Sequence, residues 1–163
     1  MRIIFAPWRF EYVKNSDNAP SCVFCDIEAS SDDEASLVVF RGKYNFVVLN
    51  RYPYVSGHMM VVPYEHVDQL GALSAEARNE MMALVNVVLD ALREIYHPQG
   101  FNVGMNIGPA AGAGIADHIH MHAMPRWGGD TNFVTVISDT RVIPEDLAET
   151  HRKMRAWFGS GSV

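Results

Sequence analysis

The sequence lacks any apolar run long enough to cross a bilayer, and it carries no recognisable export signal. No stretch of about 18 uncharged apolar residues occurs. Residues 1–14 mix Arg2, Arg9, Glu11 and Lys14 with aromatic side chains, which is unlike a signal peptide. We therefore expect no membrane partner and a cytoplasmic location.

Basic residues are in the minority. Lys and Arg number 13 against 19 Asp and Glu, for a formal net charge of -6, and they are scattered rather than gathered into a stripe. This pattern disfavours binding to long nucleic acid, which needs a continuous positive surface. A small phosphorylated ligand remains compatible with it.

Cysteine is also scarce. The chain has only two, Cys22 and Cys25, separated by two residues. In a chain without an export signal, this spacing favours a metal site or a redox pair over a structural disulfide.

The chain lacks internal repeats and low-complexity tracts, and nearly half of its 163 residues are apolar. One substantial core is therefore expected. Short β-rich runs bounded by glycine and proline predict strands at Leu37–Phe40, Phe46–Asn50 and His58–Val62. A helix is predicted from the Ser74 cap to Tyr96, then strands Phe101–Ile107 and His118–Met124 joined by the loop 108–117, then a last helix Glu145–Phe158. This order predicts an α+β fold, with a mainly antiparallel sheet and one long helix packed on it.

Three histidines alternate with apolar residues at the start of the last predicted strand. Alternate side chains of a strand point to one face, so His118, His120 and His122 are predicted to line one side, about 6.6 Å apart from neighbour to neighbour. Coincidence on a solvated face would explain the same pattern. The glycine-rich loop leading directly into the histidines favours a functional site instead.

A metal ion held by these histidines is a second interpretation. The outer pair would lie about 13 Å apart on an extended strand. Zinc binds nitrogen at about 2.0 to 2.1 Å, so all three cannot easily share one ion. Two of the histidines could bind one ion, so a metallohydrolase remains an alternative.

A third interpretation uses neutral imidazole as a nucleophile toward phosphorus. With a usual pKa of about 6.5, the unprotonated ring is abundant at neutral pH. His120 suits this role best, because a histidine on either side can orient it, bind phosphate oxygens or assist the leaving group.

The alternation of histidine with apolar residues resembles the signature of the histidine triad (HIT) family. A second stretch, from Asn50 to Pro63, is similar to that family's ribose-binding strand pair. The resemblance extends over roughly 21–133. It implies a HIT-like fold, which we expect to form a single domain over 1–163, with an N-terminal arm 1–20, a core 21–133 and a C-terminal helical segment 134–163.

The resemblance also implies roles for individual residues. His120 would form a covalent nucleotidyl-histidine intermediate, and His122 would contact the phosphate. Asn50 would bind the ribose hydroxyls, and His58 would lie on the wall of the nucleotide pocket. Taken alone, Asn50 and His58 are equally compatible with ordinary strand positions.

The loop before the histidines is predicted to hold phosphate. Small residues such as Gly112 and Gly114 let backbone amides approach phosphate oxygens closely, and Asn106 could add a side-chain amide. The common form of the family has glutamine and then serine or threonine where this chain has Gly114 and Ile115. This departure weakens the expectation of nucleoside 5'-phosphoramidase activity but leaves the nucleophile in place.

Two further stretches, Pro125–Phe133 and Ala6–Arg9, resemble the bacterial and archaeal branch of diadenosine tetraphosphate phosphorylases and hydrolases. The resemblance implies that a dinucleoside polyphosphate is cleaved at its α-phosphorus, with water or inorganic phosphate releasing the nucleotide from the enzyme. The alternatives are the phosphoramidase of the same family and a non-catalytic nucleotide-binding module, against which the intact His120 argues.

The resemblance finally implies a metal and a partner. In several members a similar cysteine pair binds zinc with two histidines, which would make Cys22, Cys25, His66 and His118 the ligands of a structural ion. A homodimer through the long helix and the Phe101–Ile107 strand is also implied. An apolar helix face is, however, equally explained by the protein's own core.

Overall fold

The computed structural model of the protein describes residues 21–130 and 143–161. The predicted arm 1–20, with its Ala6–Arg9 motif, and the end of the Pro125–Phe133 motif lie outside the described residues. In chain order the elements are α1 (Val23–Ala29), β1 (Val38–Arg41), β2 (Asn45–Leu49), β3 (Met59–Pro63), α2 (Ala75–Tyr96), β4 (Gly100–Gly104), β5 (Met121–Arg126) and α3 (Leu147–Gly159). Short 3-10 turns lie at Leu70–Ala72 and Pro109–Ala111.

The strands form one five-stranded sheet in the order β1-β2-β3-β5-β4, and every neighbouring pair is antiparallel. The predicted α+β class is confirmed. The first three predicted strands are present with bounds moved by one residue, because the glycine and proline residues between them end each run.

The long helix begins and ends where the sequence predicts. The Ser74 side chain accepts a hydrogen bond from the amide of Ala77, and His97 ends the helix in a left-handed conformation. One face of α2 is buried against β2, β3 and β5, and α3 packs on α2 and β1. The buried residues of α2 are Ala77, Met81, Leu84, Val85, Val88, Ala91 and Leu92. In the described residues, no helix is long and apolar enough to cross a membrane.

Gly57 lets the connection between β2 and β3 approach α2 closely. Its φ is +75°, and a Cβ atom there would lie 2.9 Å from Cδ2 of Leu92. Glycine meets both requirements without strain. The next residue, His58, immediately precedes β3.

Helix α1 and strand β4 depart from the prediction, as does the start of β5, which is described with the site. Helix α1 was not expected, because seven residues make fewer than two helical turns and show no apolar period. Strand β4 ends at Gly104, three residues before the predicted end at Ile107.

Candidate active site and metal centre

The three alternating histidines do not share one strand, so the predicted strand His118–Met124 was wrong at its start. β5 begins at Met121, and only His122 lies within the sheet. His118 and His120 lie in the irregular segment before it. Both are buried, at 1% and 5% exposure, rather than presented on an open face.

The missing amide hydrogen of Pro63 explains where β5 begins. β3 and β5 pair as far as Val61 and Met121, and the same register would place Ile119 opposite Pro63. Proline cannot donate to a strand ladder. Ile119 instead donates its amide to the carbonyl of Val67 at 2.8 Å, which leads the segment out of the sheet.

One ring nitrogen of His120 is hydrogen-bonded, and the other has no partner among residues 21–130 and 143–161. Its Nδ1–H donates to the carbonyl of His118 at 3.0 Å, so the neutral ring carries its lone pair on Nε2. Burial lowers the pKa of His120, although the carbonyl contact opposes the shift. The ring is flanked by Phe24, with centroids 4.9 Å apart, and by His122 at 4.8 Å. His120 is therefore an unprotonated imidazole near neutral pH.

His122 is oriented by a chain of two hydrogen bonds. The amide of Tyr54 donates to Nδ1 of His58 at 3.2 Å, so the proton of neutral His58 is on Nε2. That Nε2–H donates to Nδ1 of His122 at 2.9 Å. His122 is thereby left with an Nε2–H group that can donate to a ligand. Burial lowers the pKa of His58 to about 3 and that of His122 to about 4, which keeps both rings neutral.

Asn50 lies beside this pair, at the other end of the connection between β2 and β3. The backbone amide of Asn50 donates to the carbonyl of His58 at 2.9 Å, and the side-chain Nδ2 lies 3.4 Å from Nδ1 of His58. Its Oδ1 accepts from the amide of Tyr52 at 2.9 Å. The antiparallel pairing of β2 and β3 thus brings together two residues that are eight positions apart.

The glycine-rich loop is partly ordered by its own contacts. Asn106 donates from Nδ2 to the carbonyl of Gly112 at 3.4 Å, and both Gly108 and Gly112 have positive φ angles. Among the described residues, the amides of positions 114–116 donate to no protein acceptor. No hydrogen bond joins Asn106, Gly112 or Gly114 to a histidine ring in that part of the chain.

The ring of His118 faces away from the nucleophile, toward the cysteines. Its Nε2–H donates to the carbonyl of Pro63 at 2.9 Å, which leaves the lone pair on Nδ1. That Nδ1 lies 3.4 Å from the sulfur of Cys22 and 3.8 Å from that of Cys25. Cys25 is also 3.3 Å from Nδ1 of His66, and all four ligand atoms lie within 4.8 Å of one another.

These separations fit a tetrahedral zinc ion. With zinc–sulfur and zinc–nitrogen bonds of about 2.3 and 2.05 Å, ligands at tetrahedral angles lie about 3.6 Å apart. The three sulfur–nitrogen distances, 3.3 to 3.8 Å, bracket that value. The hydrogen bond from His118 to Pro63 is the kind of outer contact that orients a metal-binding imidazole. Burial raises the pKa of the Cys25 thiol to about 11, so a nearby cation is needed to hold it as a thiolate.

Sequence reasoning missed two contributors to this site. Phe24 is buried between the two cysteines and contacts both His118 and His120. Its position inside the cysteine pair was the available signal. The amide of Tyr54 was also missed, because a backbone donor leaves no mark on residue type.

The chain matches known proteins over most of its length. Residues 32–129 match the profile of the HIT domain. A protein named AP-4-A phosphorylase, from two strains of Mycobacterium tuberculosis, is 42% identical over 157 residues, covering 91% of this chain and 80% of its own. A bis(5'-nucleosyl)-tetraphosphatase (asymmetrical) of Schizosaccharomyces pombe is 27% identical, covering 78% of this chain and 66% of its own.

A solved structure is similar as well. A Zn-bound histidine triad family protein from Mycobacterium smegmatis superposes with a TM-score of 0.68 at 30% identity. The match covers 85% of this chain and 94% of that chain.

Proposed function

Because the chain belongs to the HIT domain family, we propose that it cleaves dinucleoside polyphosphates through a nucleotidyl intermediate on His120. One observation carries this proposal. The bond from Nδ1 of His120 to the carbonyl of His118 leaves the Nε2 lone pair free on a buried, neutral ring. Such a nitrogen is a nucleophile that needs no prior deprotonation.

The first step is displacement at the α-phosphorus. With diadenosine tetraphosphate, Nε2 of His120 bonds to phosphorus, and the bond from that phosphorus to its bridging oxygen breaks. ATP leaves and an adenylyl group remains on the ring. His122 donates from Nε2–H to oxygen atoms that gain negative charge in this step, and the bond from His58 keeps its ring in the required tautomer.

The remaining predicted residues would hold the nucleotide. Asn50, next to His58, is the proposed ligand of the ribose hydroxyls. The free amides at 114–116 and the side chain of Asn106 are proposed to bind phosphate oxygens. Backbone amides would then supply the hydrogen bonds that a serine or threonine hydroxyl at position 115 would donate.

In the second step, an acceptor removes the nucleotide from His120. The phosphorus–nitrogen bond breaks, and the neutral imidazole is restored. Inorganic phosphate as the acceptor gives ADP, and water gives AMP. The similarity to a protein named AP-4-A phosphorylase favours phosphate.

Zinc is the ion favoured by the Cys22, Cys25, His66 and His118 ligands, two of which are soft thiolates. The similarity to a Zn-bound family member supports the same assignment. Four protein ligands leave no open position for water, so the ion has a structural role and takes no part in the displacement. A metallohydrolase mechanism is not favoured by such a closed site.

A homodimer through β4 and α2 is supported by the surface of these elements. Among the described strands β4 lies at the edge of the sheet, and Val103 on it is 43% exposed. Met82 on α2 is 49% exposed, and Arg93 of that helix lies over the ring of Phe101. Unpaired edge strands with apolar side chains readily pair with a second copy. Light scattering on Val103→Lys, compared with the wild-type protein, tests this contact.

Product analysis tests the catalytic proposal. The protein is incubated with diadenosine tetraphosphate, with and without inorganic phosphate. ATP with ADP only when phosphate is present identifies a phosphorylase, and ATP with AMP identifies a hydrolase. A protein that binds the substrate without cleaving it would be a non-catalytic module. Faster turnover of adenosine 5'-phosphoramidate than of the dinucleotide would reassign the substrate class.

A further inference from the structure

Phe24 links the cysteine pair to the nucleophile. It lies between Cys22 and Cys25 in the chain and is 2% exposed. Its ring centroid is 5.3 Å from that of His118, in an edge arrangement, and 4.9 Å from that of His120. One aromatic side chain therefore contacts both a candidate metal ligand and the proposed nucleophile.

Phe24 is next to the metal cluster in the chain, because it lies between Cys22 and Cys25. It is carried by α1, which has seven residues and has no side-chain hydrogen bond at its N-terminal cap. An isolated helix of this length is not stable in water. The sulfur atoms of Cys22 and Cys25, which belong to the cap and first turn, lie against His118 and His66. Coordination by these residues would hold the start of α1, and hence Phe24, in place.

The orientation of the His120 ring depends on contacts with neighbouring rings. Its one hydrogen bond within the described chain runs to the carbonyl of His118, two residues earlier. A single bond to an adjacent peptide leaves the ring free to tilt about it. The rings of Phe24 and His122, on either side, restrict this tilt. Orientation matters because an error of about 1 Å at a reacting atom can lower the rate about 100-fold.

We infer that Phe24 is a positioning residue for His120, and that the metal cluster promotes catalysis through Phe24 without touching the substrate. The inference rests on the proposed function, since it takes His120 as the nucleophile. It makes the rate of nucleotidyl transfer depend on α1 and its cysteines.

Single-turnover kinetics test the role of the ring. With excess enzyme, the rate of ATP release from diadenosine tetraphosphate is expected to fall about 10- to 100-fold in Phe24→Ala. The enzyme concentration that gives half the maximal rate should change less than about 3-fold. Phe24→Leu, which keeps apolar volume, should recover part of the loss. The control is Phe158→Leu, a buried phenylalanine of α3 that stacks on Phe40. A similar loss in the control, or none in Phe24→Ala, would overturn the inference.

A double-mutant comparison tests the route through Phe24. Cys25→Ser should slow ATP release in the wild-type background but add little to Phe24→Ala, because both changes free the same ring. Equal effects of Cys25→Ser in the two backgrounds would mean that coupling runs through the carbonyl of His118, and the inference would be wrong. Zinc content by mass spectrometry verifies that Phe24→Ala still binds the ion.

Nuclear magnetic resonance gives a readout independent of turnover. In protein with ¹⁵N-labelled histidine, the His120 ring should show one tautomer, with the proton on Nδ1. In zinc-loaded Phe24→Ala we expect averaged tautomer signals, and unchanged signals would contradict the inference. If the wild-type protein cleaves no dinucleotide, the proposed function fails, but the spectra still report whether Phe24 restrains the ring.

Discussion

His118 and His120 are the same residue type, two positions apart, yet their rings have different hydrogen-bond partners and different surroundings. His118 gives its Nε2–H to the carbonyl of Pro63 and turns Nδ1 toward two thiols. His120 donates its Nδ1–H to the carbonyl of His118, and its Nε2 has no hydrogen-bond partner in the described part of the chain. The choice of carbonyl sets the tautomer, and the tautomer sets which ring nitrogen carries the lone pair, Nδ1 in His118 and Nε2 in His120.

The largest expected effect is the loss of kcat when His120, the proposed nucleophile, is replaced. His120→Asn should lower kcat for diadenosine tetraphosphate by at least about 10⁴-fold, because the covalent step has no other nucleophile. Zinc content should stay at the wild-type level, since the metal ligands are untouched. Calorimetry with a non-cleavable analogue checks that binding survives. Substantial turnover by this variant would refute the assignment of the nucleophile.

A substitution at His118 tests the proposed zinc site. His118→Leu should lose zinc and a large part of its folding free energy, because structural zinc sites couple binding to folding. It should still form some nucleotidyl-His120, because the backbone carbonyl that holds His120 remains. Elemental analysis, thermal unfolding and acid-quench labelling with radioactive substrate measure the three properties. Full zinc content in this variant would exclude His118 from the ligand set.

A smaller effect is expected from the outer partner of His122. His58→Leu removes the donor that fixes the His122 tautomer, and kcat should fall by about 100-fold. His58→Gln keeps a donor near the same place and should recover part of the activity. Steady-state kinetics on both variants measure this. Equal activity of the two would show that the hydrogen bond does not matter.

The last prediction concerns the dependence of stability on pH. Burial lowers the pKa of His58 to about 3 and of His122 to about 4, from 6.5 in the unfolded chain. The unfolded chain therefore binds protons first. The stability of the neutral pair is fully present above about pH 6.5 and is lost as the pH falls toward about 4.

Denaturant titrations at steps from about pH 7.5 to about pH 4.5 measure this loss. The free energy of unfolding should fall less steeply in His58→Leu than in the wild-type protein. Any loss of zinc in acid affects both proteins, so the difference between the curves isolates the histidine pair. Parallel curves would contradict the expected shifts.

The sequence predicted those parts of the molecule that depend on local patterns. The strands before α2 lie between glycine and proline residues, and Ser74 is a recognisable cap, so their places were predicted closely. The metal set and the positions of Asn50 and His58 came from resemblance to a family. Contacts distant in the chain were not predictable, among them the bond from Ile119 to Val67 and the contact of Phe24 with His120.

The tautomers were beyond sequence reasoning for the same reason. Each depends on which group the folded chain places against the ring, such as the carbonyl of Pro63 for His118 or the side chain of His58 for His122. A residue type shows that a ring can gain or lose a proton. It does not show which of its two nitrogens meets a carbonyl.

Pro63 does two things at the point where β3 ends. Without an amide hydrogen it cannot extend the ladder to Ile119, yet its carbonyl is still available and accepts from His118. Any other residue at 63 would supply a competing donor and favour two more residues of strand. The different surroundings of the His118 and His120 rings, within three consecutive residues, thus originate in one hydrogen atom that the neighbouring strand lacks.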